Sequence, residues 1–278
     1  MFRYTKLTLL REIGLWILAI VFLLPFYFLV ATSLKPDAEL YSTSPLAWPN
    51  NPTFDSFTTA LSGQGPSNIL VGLMNSVVMT AGAVFILVLL GSLTGYVISR
   101  STRRWSRGIY YLFLIAIVLP TQLGTVPLYI GARSIGLTGT IWGMIILYSG
   151  MLLPLAIFLY AGFFRGLGTE YEEAAAIDGA SRTQIFFRIV LPLMSPATGT
   201  VAILAGLIVW NDFFTALIFL GGSANQTLPV SMYFFIGALV SKWNSIFAIV
   251  IISMVPILLF YLFAQKRFIQ GFAGGLKG

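Results

Sequence analysis

Residues 165–196 read RGLGTEYEEAAAIDGASRTQIFFRIVLPLMSP, and long apolar stretches flank this segment on both sides. The segment carries four of the chain's nine acidic residues: Glu170, Glu172, Glu173 and Asp178. Acidic side chains in the first turn of a helix are stabilised by the helix dipole. We therefore predict a short helix whose opening turn holds most of these acids, in a loop between two apolar spans.

Capping and turn residues predict where the helices of this segment begin and end. The spacing of a capping box occurs twice, at Thr169 with Glu172 and at Ser181 with Gln184. Between the two boxes, Gly179 reverses the chain without the steric cost that other residues would meet. Pro192 then limits the second helix. Residues 165–192 are therefore predicted to form a helix–turn–helix hairpin.

One face of the first predicted helix is suited to contact another protein. Four residues recur at helical spacing and so share that face: Tyr171, Ala174, Ala175 and Asp178. The short alanine side chains would let a partner approach the backbone closely. The alternative is an amphipathic hairpin that rests on the bilayer surface. Such helices usually carry a polar face rich in Lys and Arg, so the acidic residues argue mildly against this alternative.

The composition of the whole chain places it in a membrane. Of its 278 residues, 58% are hydrophobic and only 9% are charged, whereas soluble domains carry about 25% charged residues. A soluble enzyme and a disordered linker are therefore excluded. The chain has no Cys and no His, which removes disulfides, thiolate chemistry and the commonest general base and metal ligand. We expect no catalytic residue and no metal site.

Six stretches are long enough to cross a hydrocarbon core of about 30 Å, which takes roughly 20 apolar residues. They run approximately over residues 13–31, 69–99, 109–130, 140–164, 197–220 and 245–264. In the second stretch, Gly91 and Gly95 have the small-residue spacing that permits close helix packing. The predicted fold is an all-α integral membrane protein with six transmembrane helices.

The distribution of Lys and Arg orients these spans, because cytoplasmic loops carry the excess of basic residues. Of the 16 basic residues, 13 fall on the side of the N-terminus and three on the other side: Lys35, Arg133 and Lys242. Both termini and the hairpin are therefore predicted to be cytoplasmic. We expect residues 1–12 to form a cytoplasmic N-terminus, 13–264 the transmembrane domain and 265–278 a cytoplasmic tail.

A series of motifs in this order resembles one known family. The run Glu173-Ala174-Ala175, Asp178-Gly179-Ala180, Ile189 and Leu191-Pro192 resembles the "EAA" loop of permease subunits of bacterial ABC importers. Further matching motifs are Asn75-Ser76, Pro120 and Pro127, Gly136-Leu137 with Thr140, Trp210-Asn211-Asp212, Thr227-Leu228-Pro229 and Gln270-Gly271. The resemblance covers residues 13–278 and is strongest to the carbohydrate-uptake class, in particular to the smaller permease of a maltose-type pair.

The resemblance implies a permease subunit that translocates a sugar or oligosaccharide in an ATP-driven importer of the bacterial inner membrane. Its implied partners are a second permease subunit, two cytoplasmic ATPase subunits and an extracytoplasmic sugar-binding protein, with no nucleic acid. The hairpin would be the coupling helix, which sits in a cleft of the ATPase. The residues that carry this role by resemblance are Glu173, Ala174, Ala175, Asp178 and Gly179.

ATP chemistry is expected on the partner subunits, because this sequence has no G-x-x-x-x-G-K-[ST] phosphate-binding motif. The chain itself is therefore predicted not to be an enzyme and to bind no cofactor. ATP and Mg²⁺ would be bound by the ATPase subunits.

Asp212 is the only charged residue inside a predicted span, near the middle of the fifth. Intramembrane carboxylates are costly and by default indicate function. Together with its neighbours Trp210 and Asn211, and with Gln122 in the third span, it defines a candidate substrate path. The alternative is structural: Asp212 would hydrogen-bond a neighbouring helix, and Gln122 would pair with backbone groups that Pro120 leaves free.

Other functions stay open at this point. The solute could be glycerol 3-phosphate or another polar compound. A gradient-driven secondary transporter usually has several intramembrane carboxylates and broken helices in matching halves, whereas this chain has one such Asp and no visible inverted repeat. An integral membrane enzyme without His or Cys would need carboxylates gathered at one membrane face, and only the hairpin gathers them.

Overall fold

A computed structural model describes residues 6–63, 68–238 and 242–275, and this part of the chain contains helices but no strand. The α-helices are α1 (Lys6–Ser33), α2 (Asp55–Leu61), α3 (Ile69–Arg100), α4 (Arg104–Val118), α5 (Thr125–Ser134), α6 (Ile141–Gly166), α7 (Glu170–Ile177), α8 (Arg182–Ile185), α9 (Leu191–Leu193), α10 (Ser195–Asn211), α11 (Phe214–Phe219), α12 (Leu228–Ala238) and α13 (Trp243–Gly275). Residues 1–5 and 276–278, the outer ends of the predicted cytoplasmic termini, lie outside the described residues.

Four of these helices, α1, α3, α6 and α13, are long and apolar enough to cross a membrane. Two bent helix pairs raise the number to six if each pair forms one span: α4 with residues 121–134, bent by 93°, and residues 182–193 with α10, bent by 72°. The helical class is confirmed, whereas the six-span arrangement and the cytoplasmic termini stay predictions.

The third and fifth predicted spans are not continuous helices. The third is interrupted at Leu119 and Pro120, where the backbone is extended, and resumes as a 3₁₀ turn over Thr121–Gly124. The fifth was predicted to run to residue 220, but α10 ends at Asn211 because Asp212 is extended, with φ −70° and ψ 123°. Asp212 therefore lies at a helix end and not in the middle of a helix.

The chain divides into two compact units, of which the first contains the described residues up to Leu70 and those from Ser231 to Val255. In this unit the segment after α1 is tied to the start of α13. The amide of Asn244 donates to the Lys35 carbonyl oxygen at 3.0 Å and to Asp37 Oδ1 at 2.8 Å. Lys242 Nζ lies 2.9 Å from Asp37 Oδ2. The hydrogen bonds from Asn244 and then from Lys242 lower the pKa of the Asp37 carboxyl group.

The second unit contains Val71–Val230 and the described residues from Pro256 onward. Its core includes large side chains of α6, among them Tyr160 and Phe164, which are fully buried. Helix α3 approaches α6 closely at its two spaced glycines. A methyl group added to Gly91 would lie 2.8 Å from the Ala156 side chain, and one added to Gly95 would lie 2.8 Å from that of Tyr160. The close packing predicted from this spacing is confirmed.

Helix α12 lies between the fifth and sixth predicted spans, where no helix was predicted. Its start is fixed within the second unit by buried hydrogen bonds to α3. Ser76 Oγ accepts from the Leu228 amide at 2.8 Å, and the Asn75 side-chain amide donates to the Gln226 carbonyl oxygen at 3.0 Å. These contacts give Asn75 and Ser76 a structural role at the beginning of α3.

The glycine contact between α3 and α6 makes a testable prediction. Gly95→Ala is expected to lower the free energy of unfolding by about 1–3 kcal/mol, since overpacking a tight contact costs that much. The matched control is Gly162→Ala in α6, where an added methyl group meets nothing within 4 Å. Unfolding of the purified chain in detergent measures both. Equal stability of the two variants would contradict the close contact.

Candidate functional site

The hairpin (residues 165–192) forms with the predicted helix–turn–helix course. Helix α7 is followed by Gly179, whose φ of +82° lies in the left-handed region that glycine adopts without strain. Ser181 and Gln184 form the predicted capping box at the start of α8: Ser181 Oγ accepts from the Gln184 amide at 3.4 Å, and Gln184 Oε1 accepts from the Ser181 amide at 2.8 Å. The chain then continues through a π-helical turn over Phe186–Val190.

The capping box predicted at the start of α7 is wrong. Thr169 makes no side-chain capping bond there, and its hydroxyl group donates instead to Glu173 Oε1 at 2.7 Å. Glu172 is drawn away from Thr169 because it is ion-paired with Arg100. A tertiary contact of greater strength therefore overrides the local capping pattern.

Arg100, the last residue of α3, holds the hairpin against the transmembrane helices. Its Nη2 lies 2.7 Å from Glu172 Oε1, and its Nε donates to the same oxygen at 2.8 Å. Its Nη1 and Nη2 also donate to the carbonyl oxygens of Phe164 and Leu167, each at 2.9 Å. Tyr96, one turn earlier in α3, donates its hydroxyl hydrogen to Glu172 Oε2 at 2.8 Å. Both members of the ion pair are largely buried, which strengthens the pair.

The residues predicted to contact an ATPase do not all face outward. Ala174, Asp178 and Gly179 are exposed, and so is Glu173. Ala175, in contrast, is only 7% exposed and belongs to the core of its own chain. The outer surface of α7 contains Ile177 instead, which is 87% exposed. An exposed isoleucine beside small and acidic residues forms an apolar contact point that the helical spacing had not singled out.

Two of the four predicted substrate-path residues, Gln122 and Asp212, line the same cavity of about 210 Å³. The cavity lies in the second unit at the breaks in the two interrupted spans, and its lining combines apolar side chains with the polar side chains of Thr121, Thr125 and Tyr148. Among the described residues that line it, none is basic. Its polar groups can hydrogen-bond the hydroxyl groups of a neutral ligand.

Asp212 has local hydrogen-bond partners in this cavity. Tyr148 donates its hydroxyl hydrogen to Asp212 Oδ2 at 2.8 Å. The Ala216 amide donates to the same oxygen at 3.0 Å, and the Thr215 hydroxyl donates to Oδ1 at 3.1 Å. The carboxylate thus satisfies a free amide at the start of α11. Asp212 therefore has the structural role of hydrogen-bonding a neighbouring helix, and it also lines the cavity.

Trp210 and Asn211 are not brought to this cavity. Trp210 is buried and lines a separate apolar cavity of about 410 Å³ in the same unit. The Asn211 side chain is exposed and donates to the Leu207 carbonyl oxygen at 2.8 Å. Successive helical residues point about 100° apart, so Trp210 and Asn211 of α10 face different directions, and the extended Asp212 follows after the helix end.

Sequence reasoning missed two important residues, Arg100 and Tyr148. Arg100 contributed to the prediction only as one of the basic residues at a span end. The residues around it gave no indication that it pairs with Glu172, 72 positions away. Tyr148 lies among apolar residues of α6, where tyrosine is common. Among the described residues there is no group of three or more acidic side chains that could hold a metal ion.

The fold is similar to that of a chain in a solved bacterial ABC transporter. A chain in the crystal structure of a bacterial ABC transporter involved in the import of the acidic polysaccharide alginate superposes with a TM-score of 0.80. The alignment covers 96% of this chain and 100% of that chain, at 22% sequence identity. The helices of this chain therefore share the fold of that transporter chain.

Curated relatives match over nearly the whole chain. The probable starch degradation products transport system permease protein AmyC of Thermoanaerobacterium thermosulfurigenes is 30% identical over 96% of this chain and 95% of its own length. The melibiose/raffinose/stachyose import permease protein MelC of Bacillus subtilis is 33% identical over 94% of both. The profile of the binding-protein-dependent transport system inner membrane components matches residues 87–273. The chain belongs to that family, which confirms the resemblance to carbohydrate-uptake permeases.

The Arg100–Glu172 pair makes a testable prediction about the hairpin. Arg100→Gln is expected to raise the hydrogen-exchange rate of the α7 amides about tenfold or more, since hydrogen bonds to charged groups contribute about 1.5–3 kcal/mol. Arg104→Gln, an exposed arginine near the same helix end, serves as the matched control. Unchanged exchange in Arg100→Gln would show that other contacts hold the hairpin.

Proposed function

We propose that the chain is one of two permease subunits of an ATP-driven importer for a sugar or oligosaccharide in a bacterial inner membrane. The relatives named above are transport permeases for starch degradation products and for melibiose, raffinose and stachyose. The observation that carries the mechanism is the anchored hairpin, whose α7 is bound to α3 on one side and exposed on the other. Such an element can transmit movement of a bound partner to the membrane helices.

The partners in this proposal are a second permease subunit, two cytoplasmic ATPase subunits and an extracytoplasmic binding protein that delivers the sugar. ATP and Mg²⁺ are bound by the ATPase subunits, because this sequence lacks a phosphate-binding loop of its own. Closure of the ATPase dimer moves the hairpin, and the spans alternate between inward-facing and outward-facing arrangements around the sugar.

The ATPase contact is proposed for the exposed surface of the hairpin. Glu173, Ala174, Asp178 and Gly179 retain the docking role that the resemblance implied, and Ile177 joins them as an exposed apolar side chain. Ala175 is given a different role, because its buried methyl group packs α7 onto the core of the chain. It supports the contact surface from inside.

A pair of single-cysteine variants tests this arrangement, since the chain has no cysteine of its own. Cysteine at Ala174 is expected to react rapidly with a membrane-impermeant maleimide from the cytoplasmic side, and binding of the ATPase should protect it. Cysteine at Ala175 should react far more slowly because that position is buried. Labelling of position 174 from outside would overturn the orientation, and labelling unaffected by the ATPase would overturn the coupling role.

A neutral sugar fits the Gln122–Asp212 cavity better than glycerol 3-phosphate does. The described lining residues include a carboxylate and no basic side chain to pair with a phosphate. The cavity of about 210 Å³ is smaller than the roughly 300–1,000 Å³ of pockets that enclose drug-sized ligands. We therefore propose that it contacts part of an oligosaccharide during passage.

Gln122→Ala tests this substrate contact. The loss of one neutral hydrogen bond, which contributes about 0.5–1.5 kcal/mol, should raise the half-saturating sugar concentration for transport roughly threefold to tenfold. Assembly and the ATPase activity without sugar should not change. Asn211→Ala is the matched control, because that side chain lies outside the cavity. Equal effects of the two variants on sugar uptake would contradict the proposed path.

A further inference from the structure

A larger cavity of about 840 Å³ lies between the end of α3, the connection to α4 and the inner side of the hairpin. Its residues all belong to the second unit. The cavity has a charged end, around Arg100, Arg103 and Arg182, and an apolar end along α3. The proposed substrate path does not include it, and the proposed ATPase contact shares only Glu173 with its lining.

The charged end has two guanidinium groups available to a ligand. Arg100 is neutralised by Glu172, whereas Arg103 and Arg182 form no side-chain hydrogen bond or ion pair with the described residues. The remaining acid of the lining is Glu173, whose Oε1 accepts from the Thr169 hydroxyl. The three arginines and two glutamates of the lining therefore give it a net charge of +1, which favours a singly charged anion.

The apolar end points to a lipid and not to a free anion. Val97 and Leu93 lie one and two turns before Arg100 on the same face of α3, so the cavity extends about 10 Å along the span from its charged end. Trp105 and Phe187, each about half exposed, line the same cavity. Aromatic side chains of this kind are typical of the membrane interface.

We propose that this cavity binds one anionic phospholipid of the cytoplasmic leaflet. Its phosphate group is held between Arg103 and Arg182, and the beginning of one acyl chain follows Val97 and Leu93. Basic pockets between helices on the cytoplasmic side are suited to anionic headgroups. The lipid thereby links the connection after α3 to α8 of the hairpin.

Lipid and ATPase contact different sides of α7 apart from Glu173. Glu172 and Ala176 of α7 line only the cavity, whereas Ala174 and Asp178 belong only to the proposed ATPase contact. Glu173 lies at the border and belongs to both. At about 100° per residue, these two sets point to opposite sides of the helix. The lipid therefore stiffens the support of the hairpin while its outer face stays available.

Lipid titration of the purified full-length chain, followed by native mass spectrometry, tests the proposal. Phosphatidylglycerol is expected to bind at one site and more tightly than phosphatidylcholine. The double variant R103Q/R182Q should weaken phosphatidylglycerol binding roughly thirtyfold, which corresponds to the loss of two arginine contacts near the membrane surface. The matched control R104Q/R107Q removes the same charge from neighbouring positions that do not line the cavity and should bind as the unmodified chain does.

A second variant tests the acyl-chain part without altering charge. Val97→Trp fills the apolar end and should weaken phosphatidylglycerol binding. In a competition experiment with the unmodified chain, inorganic phosphate should not displace the lipid. If R103Q/R182Q and R104Q/R107Q weakened binding equally, general surface charge would explain the effect and the proposed site would be wrong. Displacement by inorganic phosphate, or equal affinity for phosphatidylcholine, would overturn the choice of ligand. The measurement needs neither sugar nor ATPase, so its failure leaves the transport proposal intact.

Discussion

The hairpin depends on the guanidinium group of Arg100, which joins three separate helices. Carbonyl groups at the C-terminal end of a helix lack partners within that helix, and Arg100 donates to two such groups at the end of α6. The same side chain pairs with Glu172 of α7. A largely buried charge left without its partner costs several kcal/mol, so the pair constrains where α7 lies. These contacts consequently hold the end of α3, the end of α6 and the start of the hairpin together.

The Gln122–Asp212 cavity lies where two of the helices are interrupted. Backbone groups that a break leaves free must find partners within the protein, because lipid supplies none. Asp212 meets this requirement at the start of α11 by accepting from the Ala216 amide, and Pro120 stands at the other break without an amide hydrogen to satisfy. Polar side chains gather where the helices are interrupted, and these are the places where a hydrophilic solute can find hydrogen-bond partners.

Local patterns in the sequence predicted the helical class and the course of the hairpin, and four of the six predicted spans correspond to long apolar helices. Gly179 and the Ser181–Gln184 box were predicted correctly because their partners lie within three residues. The capping box at Thr169 was predicted wrongly because Glu172 forms an ion pair with Arg100, which lies far away in the sequence. Helix α12 was missed because its start is fixed by Asn75 and Ser76, about 150 residues earlier. The Asp212–Tyr148 contact likewise depends on how two helices pack, which hydropathy does not encode.

A hairpin can transmit force only if its inner side is more rigid than the contact on its outer side. Here the inner side combines an ion pair, the buried methyl group of Ala175 and a capping box that fixes the start of α8. The outer side offers short side chains together with the exposed Tyr171 and Ile177, so a partner can bind it without disturbing those contacts. Small residues at positions 174 and 175 therefore serve opposite purposes. In the proposed ATPase contact, the exposed Ala174 lets the partner approach the backbone, whereas the buried Ala175 lets the core of this chain approach it from the other side.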